Sequence, residues 1–396
     1  MRHWVATLCA AALLGCASDP PHDAVLQAES FDLGLYAQHC KEEMGLPTTP
    51  LAPMNCLDGV EIPITVNGHP PDAATYEALV AGKIGCDNPS WIGDGEPCAN
   101  YSFILNRQVS EDVNAVLFCR QRGFSSHLDK AGRRAAFDAT PTRENFEALF
   151  NFESLGLILT NTSNGATCFF ERVQDTYGGH IVMPDDPTPP ARTDLPSPSP
   201  PDDVPDWYLT QSAPVLWHPP VLMSGKAHCA SCHDSDPFIR SGHIHGLNVL
   251  PPHDTTRPYY LASRTGAAHQ ARNPPTALST TPVKGEEGYE PQLCTTCHRI
   301  GGAMGCDLFS RYYTGDIAQP GQSPDLPFET RVLMPPADPI HSPTNEAEWQ
   351  TRYQAHVDKL LCCCENPNAL GCTLQDITQT PLPEPVAGLG PESCEL

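Results

Sequence analysis

Eighteen cysteines in a chain of 396 residues constrain this fold more than any other feature. Cys40, Cys56, Cys86, Cys98, Cys119 and Cys168 lie in the first half. Cys229 and Cys232, then Cys294 and Cys297, form two close pairs, and Cys306, Cys362, Cys363, Cys364, Cys372 and Cys394 follow. Only Cys9 and Cys16 precede these groups. Thiols at this density persist as disulfides in an oxidising compartment and are a hazard in the cytosol. Each group of six is even, which is consistent with full oxidation. Six cysteines can pair in fifteen ways, and the sequence selects none. Cys40–Cys56 and Cys86–Cys98 are guesses from proximity alone. In the last group Cys306 is expected to bond one member of the Cys362-Cys363-Cys364 run, for which a soft-metal site is the less favoured alternative.

The first residues fix the compartment. Residues 1–15, MRHWVATLCAAALLG, carry one Arg before an apolar stretch too short for a permanent bilayer span, the pattern of a cleaved signal. Leu13-Leu14-Gly15-Cys16 resembles the lipobox of bacterial lipoproteins, in which the cysteine becomes the acylated first residue. The resemblance implies lipidation of Cys16, a tether over 16–30, and an outer-membrane address facing the periplasm or the outer surface. Ala17 and Ser18 stand where an Asp would resemble an inner-membrane retention signal. The alternative is an ordinary secretory signal with Cys16 left for a disulfide, and it too exports the chain. No other run of about 18 apolar residues occurs, so the lipid is the only membrane attachment expected. The charge, 23 Lys+Arg against 47 Asp+Glu for a net −24, repels nucleic acid and anionic lipid.

Proline marks the internal boundary. Residues 185–205, DDPTPPARTDLPSPSPPDDVP, favour extended polyproline geometry and read as a linker. Upstream, residues 31–184 are expected to form a disulfide-rich α+β domain. Residues 60–66 and 113–119 read as strands, and 155–160 and 167–173 flank Asn164-Gly165, a hairpin signal. Residues 143–152 show helical spacing through Phe146, Leu149 and Phe150. No nucleophile elbow, phosphate loop, zinc-protease helix or EF-hand loop occurs there. Tyr36, Trp91 and Tyr101 are read as buried aromatics rather than the lining of a site. The tail, 366–396, is Cys- and Pro-rich, and beyond Asp376 it is expected to be loosely ordered.

The chemistry sits in two short motifs, Cys229-Ala-Ser-Cys232-His233 and Cys294-Thr-Thr-Cys297-His298. Both are C-x-x-C-H, the attachment signature of c-type haem. Two thiols at this spacing meet the two vinyl groups of one porphyrin, and the next residue offers its imidazole to the iron. C-x-x-C pairs can bind zinc, but a His directly after the second Cys is not zinc-finger spacing, and a thioredoxin-like C-x-x-C needs a βαβ context that a Pro-rich region does not supply. The chain therefore resembles c-type cytochromes over about residues 207–364. The resemblance implies two covalent haems and a mostly α region with loops over 206–365. Met334 in Leu333-Met334-Pro335-Pro336 stands where small cytochrome c domains place a distal Met before Pro, with His341 and Met304 as runners-up. Asn345 caps an expected helix to residue 361 with Trp349, Tyr353, Val357 and Leu360 on one face, like the helix that closes such domains. For the first motif the sixth ligand stays open: His243 leads, then His245 and Met223, with His253 and His218 behind.

With both irons six-coordinate, a protein of this kind can only accept and donate electrons. The leading expectation is an electron carrier whose acidic surface docks a basic patch on a redox partner. A dihaem peroxidase with one open iron is the enzyme alternative, although such proteins separate their motifs by far more chain. A haem-bearing binding or sensor module, with the N-terminal domain as recogniser, is the third.

Overall fold

A computed structural model of the chain describes residues 33–47, 51–62, 64, 66, 70–81, 83–84, 102–121, 128–152, 154–172, 176–177, 180–181, 233, 235–238, 249–252, 256–262, 277–278, 299–301, 306, 345–377, 382 and 386–394. All of them belong to one unit, Asp32–Leu396. Helices and strands are both present, so the α+β class holds.

The centre is a six-stranded sheet. In chain order its strands are β2 (Val60–Ile62), β3 (Ser102–Gln108), β4 (Val113–Arg120), β6 (Ser154–Asn161), β7 (Ala166–Arg172) and β10 (Tyr260–Leu261). They lie in the order β10-β7-β6-β4-β3-β2, antiparallel throughout except that β10 runs parallel to β7. Shorter pairs join β1 (Met54–Asn55) to β9 (His180–Ile181) and β5 (Asn151–Phe152) to β8 (Thr176–Tyr177). The turn from β6 to β7 needs its glycine. Gly165 sits at φ +80°, and a Cβ there would lie 2.2 Å from the Pro258 carbonyl oxygen.

The long strands are apolar on both sides, and each side has its own cover. One face carries Phe103, Leu117, Cys119, Leu155, Leu157, Leu159, Cys168 and Phe170, all buried. Helix α1 (Leu33–Glu43) is fastened to this face by Cys40–Cys168 and by Tyr36, whose ring meets Phe170 at 5.1 Å. Cys56–Cys119 adds a second staple. The guess Cys40–Cys56 is therefore wrong: Cys40 on α1 reaches Cys168 of β7 and Cys56, just after β1, reaches Cys119 of β4, because each segment packs against the sheet rather than against the other. Cys86 and Cys98 lie outside the described residues. The other face carries Ile62, Ile104, Val116 and Ile158, and these pack against Phe238, Val249 and Leu250, all from beyond the Pro-rich stretch. The boundary at 185–205 lies outside the described residues.

Helices α2 (Ala73–Val80), α3 (Lys130–Ala139) and α4 (Arg143–Phe150) start on side-chain caps. Asp72 accepts from Thr75 N at 2.8 Å, Asp129 from Gly132 N at 2.7 Å and Thr142 from Asn145 N at 3.2 Å. Phe137, Phe146 and Phe150 pack together between α3 and α4, with ring centroids 5.6–5.8 Å apart. Arg133 is fully buried there and donates to Leu128 O, Gln121 Oε1 and Leu149 O.

Near the C-terminus Asn345 caps α5 (Glu346–Trp349) by accepting from Glu348 N at 2.9 Å. A π turn (Gln350–Gln354) follows and runs into α6 (Ala355–Glu365). The wider π turn keeps residues four apart in register, so Trp349 and Val357 are buried on one side and Tyr353 is half-buried between them. Strands β11 (Ala277–Leu278), β12 (Ile300–Gly301), β13 (Thr373–Gln375) and β14 (Val386–Ala387) form a small antiparallel sheet. Cys306–Cys364, Cys362–Cys394 and Cys363–Cys372 lock it to α6. Among the described residues the tail after Asp376 is thus tied down through β14 and Cys394, against the expectation of loose order. No helix among them is long and apolar enough to cross a membrane.

Candidate functional site

Of the six residues in the two C-x-x-C-H motifs, His233 alone is described. Cys229, Cys232, Cys294, Cys297 and His298 lie outside the described residues, as do Met334, His243 and Cys16. What the structure supplies is the setting of His233 and of the chain that leaves each motif.

His233 rests on the second face of the large sheet. Its ring meets that of Phe169, on β7, with centroids 4.8 Å apart and planes inclined by 43°. Its carbonyl oxygen accepts from Tyr259 Oη at 2.5 Å. The Nδ1 atom is shielded from solvent and has no hydrogen-bond partner. Burial lowers the imidazole pKa to about 4; the Pro237 backbone and the Asp236 carboxylate oppose that shift, and the Arg120 charge adds to it. The ring is therefore neutral at neutral pH and holds a lone pair out of water, which makes it an electron-pair donor.

The stretches that follow the two motifs meet each other. Ser235 Oγ donates to the carbonyl oxygen of Arg299 at 2.7 Å. The Arg299 guanidinium lies 3.8 Å from the Asp236 carboxylate, and both side chains are largely buried, at 7% and 14% exposed. Arg299 also donates to the Arg257 carbonyl. Ser235 stands two residues after His233, and Arg299 directly follows His298. The stretches leaving the two motifs, separated by more than 60 residues of chain, are thus bonded to each other. A cleft of about 40 Å³ lies beside this contact, lined by Asp236, Phe238, Arg257, Tyr259 and Arg299 among others. It has room for a few waters and not for an organic substrate.

The C-terminal cysteines offer a different chemistry at first sight. The sulfurs of Cys363, Cys372 and Cys394 lie within 4.8 Å of one another. All three are disulfide-bonded, so none presents the thiolate that a soft metal requires.

Sequence reasoning did not find Phe169, Tyr259, Ser235, Asp236 or Arg299. Phe169 carried a faint signal. The run Cys168–Phe170 is apolar at successive positions, and such runs belong to strands covered on both faces. The polar contacts carried none, since each joins residues far apart in the chain. The chain matches no known protein family, no curated protein and no solved structure.

Proposed function

We propose that this chain is an exported dihaem c-type cytochrome that carries electrons between redox partners. Its two C-x-x-C-H motifs are the sequence basis. The structural observation that supports the reading most is the bonded contact between the stretches leaving the two motifs, Ser235 and Asp236 on one side and Arg299 on the other. A carrier with two redox groups works as one unit when their attachment points are held together.

Haem supplies a one-electron couple at iron, tuned by its axial ligands. The chain's own residues do the rest. Cys229, Cys232, Cys294 and Cys297 would hold the two groups covalently, which would prevent their loss outside the cytoplasm. His233 and His298 would each offer an imidazole nitrogen to the iron. The His233 side chain fits that role, since it is neutral, shielded and has an unpartnered ring nitrogen. Met334 is the sixth ligand proposed for the second site, and His243 leads at the first, ahead of His245 and Met223. A mostly α arrangement over 206–365 belongs to the same proposal. So do lipidation at Cys16, an outer-membrane location facing the periplasm or the outer surface, and docking to a basic patch on the partner. The net charge of −24 supports the last.

The test is an absorption spectrum of the chain matured with a cytochrome c assembly system, reduced and then exposed to carbon monoxide. Two low-spin haems that ignore the gas are the expected result. A high-spin haem that binds it would replace the carrier with a peroxidase-like enzyme. A protein without covalent haem would refute the reading outright.

A further inference from the structure

We propose that Phe169 is a positioning residue for the His233 imidazole, and that the disulfide-stapled sheet is a wall of the first motif's site rather than a separate recognition module. The inference rests on the dihaem reading and deepens it.

Phe169 presents its ring to His233 from the sheet face opposite α1. Its own backbone is unusually well fixed. Strand β10 pairs with β7 only along Ala166 and Thr167 and then ends. Beyond that point the Tyr36 hydroxyl takes over the edge: it accepts from Phe169 N and donates to Phe169 O, both at 3.2 Å. The preceding residue, Cys168, is bonded to Cys40, which shares helix α1 with Tyr36. One helix therefore holds the strand at two adjacent residues, once by a covalent bond and once by a paired hydrogen bond.

His233 is gripped from two directions by the same strand pair. Phe169 of β7 limits rotation of the imidazole. Tyr259, the residue before β10, holds the backbone carbonyl at 2.5 Å. An aromatic face against an imidazole leaves few ring orientations free of clash, and the orientation of a ligating imidazole is what surrounding residues set in a metal site. A preorganised ligand of this kind needs neighbours whose own positions are locked. Here the lock is the first-half disulfide Cys40–Cys168, far from the motif in sequence.

The experiment uses the full-length, matured protein. Wild type is first assayed for two covalent haems. Failure there removes the dihaem reading before any variant is made, so the two failures are distinct. Phe169→Leu keeps apolar bulk and removes the ring. The expected result is a changed set of low-spin electron paramagnetic resonance g-values and a shifted midpoint for one haem, with the other unmoved. Phe169→Tyr is expected to restore the wild-type signature. Tyr36→Phe, which loses only the hydroxyl, is expected to move the same signals in the same direction by less. Two intact haems with both signatures unchanged in Phe169→Leu would overturn the inference, and so would equal changes at both haems. Should Phe169→Leu fail to fold, an unchanged spectrum in Tyr36→Phe would overturn it instead.

Discussion

Removing the Cys40–Cys168 bond tests how the two ends of the first half are held. The bond closes a loop of 128 residues, for which the chain-entropy relation gives about 5 kcal/mol. Cys56–Cys119 lies inside it and spans 63 residues. With that inner loop closed the effective outer loop shrinks to about 65 residues, and the stabilisation falls to about 4 kcal/mol. At ~2.1 cal/mol/K per residue, unfolding about 365 residues has an entropy near 0.77 kcal/mol/K, so the double variant Cys40→Ala/Cys168→Ala should melt about 5 °C lower. Scanning calorimetry under oxidising conditions reads this directly. Both sulfurs are fully buried, so alanine introduces no polar group and the loss is chiefly that of the cross-link. The same variant should reproduce, more weakly, the one-haem spectral change expected for Phe169→Leu, because Cys168 precedes Phe169. A melting shift under about 2 °C would refute the loop argument.

Two further perturbations address charge. Burial raises the Glu61 pKa most, with the nearby Asp129 charge adding, although Lys130 N donates to its carboxylate at 3.0 Å. Between the unfolded and the folded pKa the native protein holds a proton there that the unfolded chain has lost, so this group's contribution is most favourable below about pH 4.5 and declines as pH rises through the folded pKa. Glu61→Gln should raise the urea midpoint at pH 7 and leave it unchanged near pH 4; no gain at pH 7 would mean that the carboxylate is not penalised. Arg299→Met removes the guanidinium beside the largely buried Asp236 carboxylate and should cost about 3 kcal/mol in denaturant unfolding. A loss below about 1 kcal/mol would show that the pair at 3.8 Å contributes little.

Local signals in the sequence were reliable where one element decides the outcome. Phe146, Leu149 and Phe150 marked α4, Asn345 marked the start of α5, and Asn164-Gly165 marked the β6–β7 turn. The strand expected at 60–66 ends at Ile62, immediately before Pro63. Cys306 does bond one member of the cysteine run, Cys364. The first-half pairing was not legible, because Cys40–Cys168 depends on α1 packing across β7, and nothing in either local sequence encodes that. The wall behind His233 was hidden for a related reason. A strand apolar on both faces announces that two covers exist, without saying which residues supply them. The two motifs were plain as text, but the contact between the stretches that follow them arises from three polar contacts among Ser235, Asp236, Arg257 and Arg299, none of which forms a pattern in the chain.

The segment Arg257–Ala262 explains how these parts come to share one body. Its Arg257 donates to Thr162 O at 2.7 Å in the β6–β7 turn, and its own carbonyl accepts from Arg299, next to the second motif. Tyr259 donates to His233 O, while its backbone N–H donates to Ile377 O at 2.7 Å, in the tail. Tyr260 N and Ala262 N bond Gly165 O and Thr167 O, which makes β10 an added edge of the first-half sheet. Six residues with no motif of their own therefore join the sheet, both motif exits and the C-terminal segment. Gly165 permits the closest of these approaches, since any side chain there would strike Pro258 O. If the first half were an independent recogniser, its sheet would close on its own strands; instead its last strand is supplied from beyond the first motif. That dependence makes deletion of residues 31–184 a loss of the support around His233, not the removal of an accessory domain.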